Sequence, residues 1–445
     1  MVQRNGRANG GKIMIEKFEV KDFKCHEGLN SFFFPGMTIV SGTNNSGKSS
    51  LLQSLYALTQ SKNIHLPILA INEYMKLGSF SDILNREKGN YETVEFTVWF
   101  DRNILEKDNI KGLSINFIYV NPSVFRNVEY KEGVPTLLGI DVDLHTSEEK
   151  KHMTLELVDE EGSAYYKVSG NIEEGFCKIN GLTPELIIYC DLEGGERRVC
   201  SKEFETISRY IALINKESFK YLRAYRVEDY KDSDYVGTNG IGLSGEYTAE
   251  IVSSKWDSFT EFFDDEGRKV KFSKLFDQWI ERLLGSNYRV RSKKLDKNKY
   301  KIVVEELEYN MEFTLNQVGF GISQILPILT LVLSSSKGDV ILIENPEIHL
   351  HPKLQADLVD LFIFALKKDR KIIIETHSEH IVNRARLRLK ENNELINKVN
   401  IYFFEKEEEV VRYQEIQVDK EGKINFWPRN FFDQSYYDLL GLIEK

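Results

Sequence analysis

The run Gly42-Thr43-Asn44-Asn45-Ser46-Gly47-Lys48-Ser49-Ser50 carries the clearest chemistry in the chain. It fits G-x-x-x-x-G-K-[ST], a loop whose backbone N–H groups converge on phosphates. Lys48 is expected to reach the β- and γ-phosphates of a bound nucleotide, and the Ser49 hydroxyl to ligate Mg2+. Gly42 and Gly47 leave the backbone room to curl close to the anion. Asn44, Asn45, Ser46 and Ser50 complete the expected phosphate-binding set. Such a loop works between a strand and a helix, and its flanks supply both. Met37 to Val40 is a short β-type run, and Leu51, Leu52, Leu55 and Leu58 recur at helical spacing towards Gln60. The helix N-terminus then adds its partial positive charge. The bland reading, a glycine-rich turn, leaves the fixed positions of the pattern unexplained. ATP and Mg2+ are the implied cofactors.

Three later segments bear on the same chemistry. Asn316 to Gln324 holds Gly319, Gly321 and Ser323 ahead of an apolar helix. Its G-x-G lacks the strand-turn-helix unit and the later acidic residue of a dinucleotide site. Glycines with a serine at a helix start make either a second anion-binding nest or a helix cap. Asp339 to Ile343 reads as a buried strand ending in Glu344-Asn345-Pro346-Glu347. Carboxylates at the end of a hydrophobic strand suit a Mg2+–nucleotide site. One holds the metal through its water shell, and another orients the attacking water. Lys371 to Ile374 is a further buried strand, followed by Glu375-Thr376-His377-Ser378. His377 can there hydrogen-bond a γ-phosphate or the attacking water. The alternative is a helix start with Thr376 or Ser378 as N-cap. His349 and His351 stand two apart, off a common helix face, and are a poor metal pair.

The whole chain must position these groups. Its 445 residues predict two or three domain-sized units, and 41% hydrophobic with 29% charged residues describes a soluble globular protein. A net charge of -10 argues against a uniformly basic nucleic-acid coat but permits a local basic patch. Two candidate patches are Arg289, Arg291, Lys293, Lys294, Lys297, Lys299 and Lys301, and then Arg384, Arg386, Arg388 and Lys390. Solvated faces are the favoured reading of both. Cys25, Cys177, Cys190 and Cys200 show no C-x-x-C spacing, which suits a reducing cytoplasm. No apolar run is long enough to span a membrane, and the N-terminus lacks a signal-peptide core. Residues 1–11 read as a loose tail.

In chain order, Lys12 to Phe23 reads as a strand pair and Ser31 to Phe34 as another short strand. Tyr74 to Leu84 reads as loop, and Tyr91 to Phe100 as a strand. Leu113 to Val120, Met153 to Val158 and Ala164 to Val168 are strand-like. Glu203 to Ile214 and Phe272 to Leu284 are helical. No repeat and no sustained heptad run is present.

Together, GTNNSGKSS, VGFGISQ, VILIENPEIHLHP and IIIETHSEH resemble the motifs of ABC-type ATPases of the OLD (overcoming-lysogenisation-defect) and related AAA-like group, relatives of the SMC, RecF and Rad50 heads. Tyr221 to Arg226 and Gly240 to Tyr247 resemble that group's region before the signature. The ending Phe426 to Asp433 resembles a tail found in a bacterial subset. The resemblance implies an α/β fold: a P-loop ABC-type head with a mixed sheet, split by an inserted α+β region. The expected lobes are 12–100 and 302–445, around an insert at 101–301. Lys48 and Ser49 would be the P-loop pair, and Ser49 with Glu344 would hold Mg2+. Gly319, Gly321 and Ser323 would form a signature loop facing the nucleotide of a second copy, and His377 would be the switch histidine. Asn345 stands where many relatives carry the catalytic glutamate, which turns attention to Glu347. No toprim nuclease set follows His377. The implied partners are therefore a second copy of this chain, a separately encoded nuclease or other effector, and nucleic acid as a candidate. The implied setting is bacterial anti-phage defence. The rival expectations are a nucleotide-gated scaffold with little hydrolysis and a RecF-like DNA-repair clamp.

Overall fold

The computed structural model describes residues 15–63, 67–69, 75–89, 92–121, 123, 133–160, 163–190, 196–198, 201–214, 219–226, 240–296, 299–407, 410–428 and 431–432. The expected tail 1–11, residues 12–14 and Lys297 lie outside them.

Two large sheets dominate. One is parallel for five strands, in the order Phe219–Leu222, Val340–Glu344, Lys371–Glu375, Met37–Gly42 and Val399–Glu407. Val410–Ile416 then turns back antiparallel at the edge. The strands 340–344 and 371–375 are buried along their whole length, which is why VILIE and KIIIE read as continuous apolar runs. Alternate side chains enter different cores. Val40, Leu342 and Ile373 pack with the P-loop helix residues Leu51, Leu52 and Leu55. Ile39, Ile341, Ile343, Ile372 and Ile374 pack with the helices Phe320–Ser334 and Pro352–Leu366. That is the period-two consequence of a pleated strand covered on both faces.

The second sheet is a long antiparallel meander. Ile15–Phe23 pairs with His26–Phe33 on one side and Val94–Phe100 on the other. The strand 94–100 continues into Ile110–Val120, Thr136–Thr146, Lys150–Glu160 and Ser163–Gly170. The sheet thus crosses residue 101 without a break. Of the strand pair expected over 12–23, the described residues Ile15–Phe23 form one strand, and the hairpin turn comes after it, at Lys24 and Cys25. The short strand expected at 31–34 is the end of that hairpin's second arm. The loop expected at 74–84 contains the helical turn Phe80–Ile83, started by a capping box between Ser79 and Asp82. The helix Phe272–Leu284 falls where expected. It buries Phe272, Leu275, Phe276, Trp279, Ile280 and Leu283, a stripe at helical spacing.

Arg289, Lys293, Lys294, Lys299, Lys301 and Lys390 face solvent, as expected, whereas Arg291, Arg384, Arg386 and Arg388 are half-buried in contacts within the fold. Asp360 takes Arg282 at 2.6 Å, Arg388 Nε at 2.6 Å and Arg384 at 3.4 Å. Arg386 donates to the Gly422 carbonyl and lies over Trp427. In the earlier run Arg291 pairs with Asp277 and stacks on Trp256, and Lys293 meets Glu312.

One buried lysine ties the two sheets together. Lys371 Nζ donates to Ile15 O at 2.7 Å and Phe34 O at 2.5 Å, with Asp101 3.8 Å away. Burial outweighs Asp101 and Glu16 and brings the ammonium down to about 8. Between pH 8 and its ordinary value of 10.5, the unfolded chain therefore holds a proton that the native chain does not. This residue makes stability rise with pH across that window. The stability of the wild type minus that of Lys371→Met is expected to grow between pH 8 and pH 10.5, measured by urea unfolding. A flat difference would contradict the burial argument.

Candidate active site

The P-loop folds back between its strand and its helix, Lys48–Leu58. Gly42 has φ 143°, and a Cβ there would stand 1.9 Å from the Phe404 carbonyl oxygen. Gly47 has φ 89°, and a Cβ there would stand 2.6 Å from Cys25 Sγ. Both positions need glycine. Asn45 takes φ 58°, a conformation asparagine tolerates. Ser46 Oγ donates to Thr43 O at 2.7 Å. His26, buried at the start of its strand, places Nε2 3.2 Å from Gly47 O. A carbonyl only accepts, so Nε2 carries the proton. Burial brings the ring down to about 4, which keeps it neutral.

Lys48 Nζ donates to Thr43 O at 2.5 Å and to Gly42 O at 3.2 Å. Burial lowers its pKa, opposed by Glu375 and then Glu347, so both carboxylates lie within its electrostatic reach. Ser49 Oγ donates to Glu375 Oε1 at 2.9 Å. Glu375 is 4% exposed, and burial lifts its carboxyl to about 7. Ser49 and Lys48 oppose that rise, while Glu344 and Glu347 add to it. Its other oxygen, Oε2, has no hydrogen-bond partner among the described residues. Ser49, expected to hold Mg2+ together with Glu344, has its hydroxyl bonded to Glu375.

Glu344 is held from the other side. Its Oε1 accepts the Tyr221 hydroxyl, and its Oε2 accepts Ala224 N at 3.1 Å. Arg226 Nη2 donates to Glu344 O at 2.7 Å and Asn345 O at 3.2 Å. These groups belong to the edge strand 219–222 and the turn after it. Asn345 has φ 40°, which swings the chain away from the strand line.

Glu347 joins the two strand-end loops. Its Oε2 accepts Thr376 Oγ1 at 2.9 Å, and its Oε1 accepts His377 N at 2.7 Å. Asn345 Nδ2 stands 3.5 Å from the same Oε1. Burial and then Lys48 hold the His377 ring below its ordinary pKa, with Glu347 opposing. Ser378 is the N-cap of Glu379–Glu391, its Oγ accepting Ile381 N. His351 caps Pro352–Leu366 by accepting Lys353 N.

Gly319 is the N-cap of Phe320–Ser334, so Gly321 and Ser323 lie in that helix's first turn. A Cβ on Gly321 would meet His349 O at 3.4 Å, whereas one on Gly319 would meet nothing within 4 Å.

The structure therefore gathers Lys48, Ser49, Glu344, Asn345, Glu347 and His377 at the ends of three adjacent parallel strands. Sequence reasoning did not assign roles to Glu375, Tyr221, Arg226 or His26. Glu375 stood in the quoted ETHS run, and the strand 371–375 lies between the other two. A hydroxyl beside a buried, half-orphaned carboxylate and a lysine fits a Mg2+–nucleotide.

These elements make a P-loop site on an α/β fold with a mixed sheet. Residues 14–382 match the family described as AAA ATPase domain, and the chain belongs to that family. Residues 396–442 match a family described as a protein of unknown function. An uncharacterized protein of Methanocaldococcus jannaschii is 26% identical over 205 residues, which cover 45% of this chain and 24% of that protein. The matched stretch thus spans about a quarter of that relative's length. Among solved structures, an SMC head bound to the C-winged helix domain of ScpA aligns over 91% of this chain and 99% of its own, at 13% identity and TM-score 0.47. The SMC head domain from Thermotoga maritima covers 91% and 99% at 10% identity, with TM-score 0.38. No helix among the described residues is long and apolar enough to cross a membrane.

Proposed function

We propose that this chain is an ATP-binding and ATP-hydrolysing head that closes against a second copy and transmits the change to a separate effector. The observation that carries the reading is the P-loop set against the carboxylates of two neighbouring strand ends. Phosphoryl transfer depends mostly on positioning and electrostatics, which is what such a site supplies. Lys48 would meet the β- and γ-phosphates, and Ser49 with a strand-end carboxylate would hold Mg2+, which offsets phosphate charge. Glu347 would orient the attacking water, and His377 would stand by the γ-phosphate.

Gly319, Gly321 and Ser323 would complete the site of the other copy. The open space at Gly319 and the start of a 15-residue helix support this, because helix N-termini favour phosphate. The motif resemblance supports a nuclease or other effector, and bacterial anti-phage defence in the cytoplasm, with nucleic acid as a candidate ligand of the assembly.

The test is ATP hydrolysis together with ATP-dependent association followed by sedimentation. Gly321→Asp is expected to spare ATP binding while impairing both hydrolysis and ATP-favoured association, because it sets a carboxylate against the facing γ-phosphate. A normal hydrolysis rate in Gly321→Asp would remove the composite site. A second reading, a nucleotide-gated scaffold, is favoured by Asn345 and by the two bonds that already occupy Glu347. A wild-type rate near the uncatalysed background would select it.

A further inference from the structure

We infer that the carboxylate serving the Ser49-bound cation is Glu375, and that Glu344 instead anchors the edge strand Phe219–Leu222. The inference rests on the nucleotide-site reading above. Ser49 Oγ and Glu375 Oε1 are 2.9 Å apart. Neighbouring ligands of an octahedral Mg2+, each about 2.1 Å from the ion, stand about 3 Å apart. The pair already spans one edge of such an octahedron. A cation can take the place of their hydrogen bond once the hydroxyl proton turns outward.

Glu375 Oε2 adds an independent observation. It is buried and lacks a partner among the described residues, in a side chain that is 4% exposed. Folded proteins rarely leave a buried carboxylate oxygen unmet, and a cation or its bound water would meet it.

Glu344 has no such freedom. Its two oxygens accept from Tyr221 and Ala224, and Arg226 holds its carbonyl. Moving the carboxylate to a metal would strand a buried tyrosine hydroxyl and a backbone N–H. Strand order points the same way. Glu375 pairs with Val40 on the P-loop strand itself, whereas Glu344 pairs with Glu375 one strand further out.

The experiment titrates the full chain with a fluorescent ATP analogue, once with Mg2+ and once with EDTA. Mg2+ is expected to tighten binding to the wild type. Glu375→Gln should keep binding in EDTA yet lose about tenfold or more of the Mg2+ effect, the usual penalty for disturbing a metal's surroundings. Retained EDTA binding also certifies the fold. Glu344→Gln should keep the Mg2+ effect and unfold at a lower temperature. Against the same Mn2+–ATP mixture without protein, the free-ion electron paramagnetic resonance signal should fall further with wild type and Glu344→Gln, but not with Glu375→Gln. If Glu375→Gln binds nothing even in EDTA, Glu375→Asp is read the same way and must show a reduced Mg2+ effect. A full Mg2+ effect in the Glu375 variants, or its selective loss in Glu344→Gln, overturns the inference and leaves the ATP site standing. A wild type that binds no nucleotide in either buffer sinks both.

Discussion

Glu347→Gln is expected to slow single-turnover ATP hydrolysis by more than tenfold, over about 1.4 kcal/mol of barrier, while ATP still binds. The argument begins at Asn345. An amide cannot take up a proton at neutral pH, so it is a poor general base. Glu347 lies two residues on, past Pro346, and the structure directs it back to the site. The His377 N–H and Thr376 hydroxyl fix its two oxygens at 2.7 and 2.9 Å, which costs the carboxylate its rotational freedom. Oε2 retains a further lone pair for water, and Oε1 can exchange its long contact with Asn345 Nδ2 for one. A purely capping role makes a different prediction. Glutamine can still accept the His377 N–H through its carbonyl, and Thr376 can accept from the new amide, so the rate would hold. An unchanged rate would move the water-positioning role to His377. Asn345→Glu is the companion variant and is expected to speed hydrolysis.

Lys48→Ala is expected to abolish ATP binding, read by equilibrium titration with labelled nucleotide. Lys48 does two things. Its ammonium is the cation that Glu375 and Glu347 feel, and so the charge that meets the nucleotide phosphates. It also donates to Thr43 O and Gly42 O, holding the curl of the loop. Alanine removes both. Binding retained within about tenfold, a loss of about 1.4 kcal/mol or less, would place the nucleotide elsewhere.

Local patterns were enough to locate the P-loop, its strand and helix, the two carboxylate-bearing strand ends and the helix 272–284. Each is set by neighbours in sequence: fixed glycines, continuous apolar runs, or a stripe at helical spacing. Hairpin limits were less legible. In 12–34 the alternation of Ile15, Phe18 and Val20 left room for an earlier turn, and only backbone pairing put it at Lys24 and Cys25. The half-buried arginines of the basic runs were not legible either, because their acids lie in other elements. Arg384 and Arg388 are bound by Asp357 and Asp360 of a different helix. Composition and spacing thus determined that this chain carries a phosphate loop and strand-end carboxylates. Only the tertiary structure decided which carboxylate faces Ser49. Glu344 and Glu375 have the same local setting, at the ends of buried parallel strands. Strand order separates them by setting one beside the P-loop strand and giving the other to Tyr221 on the edge.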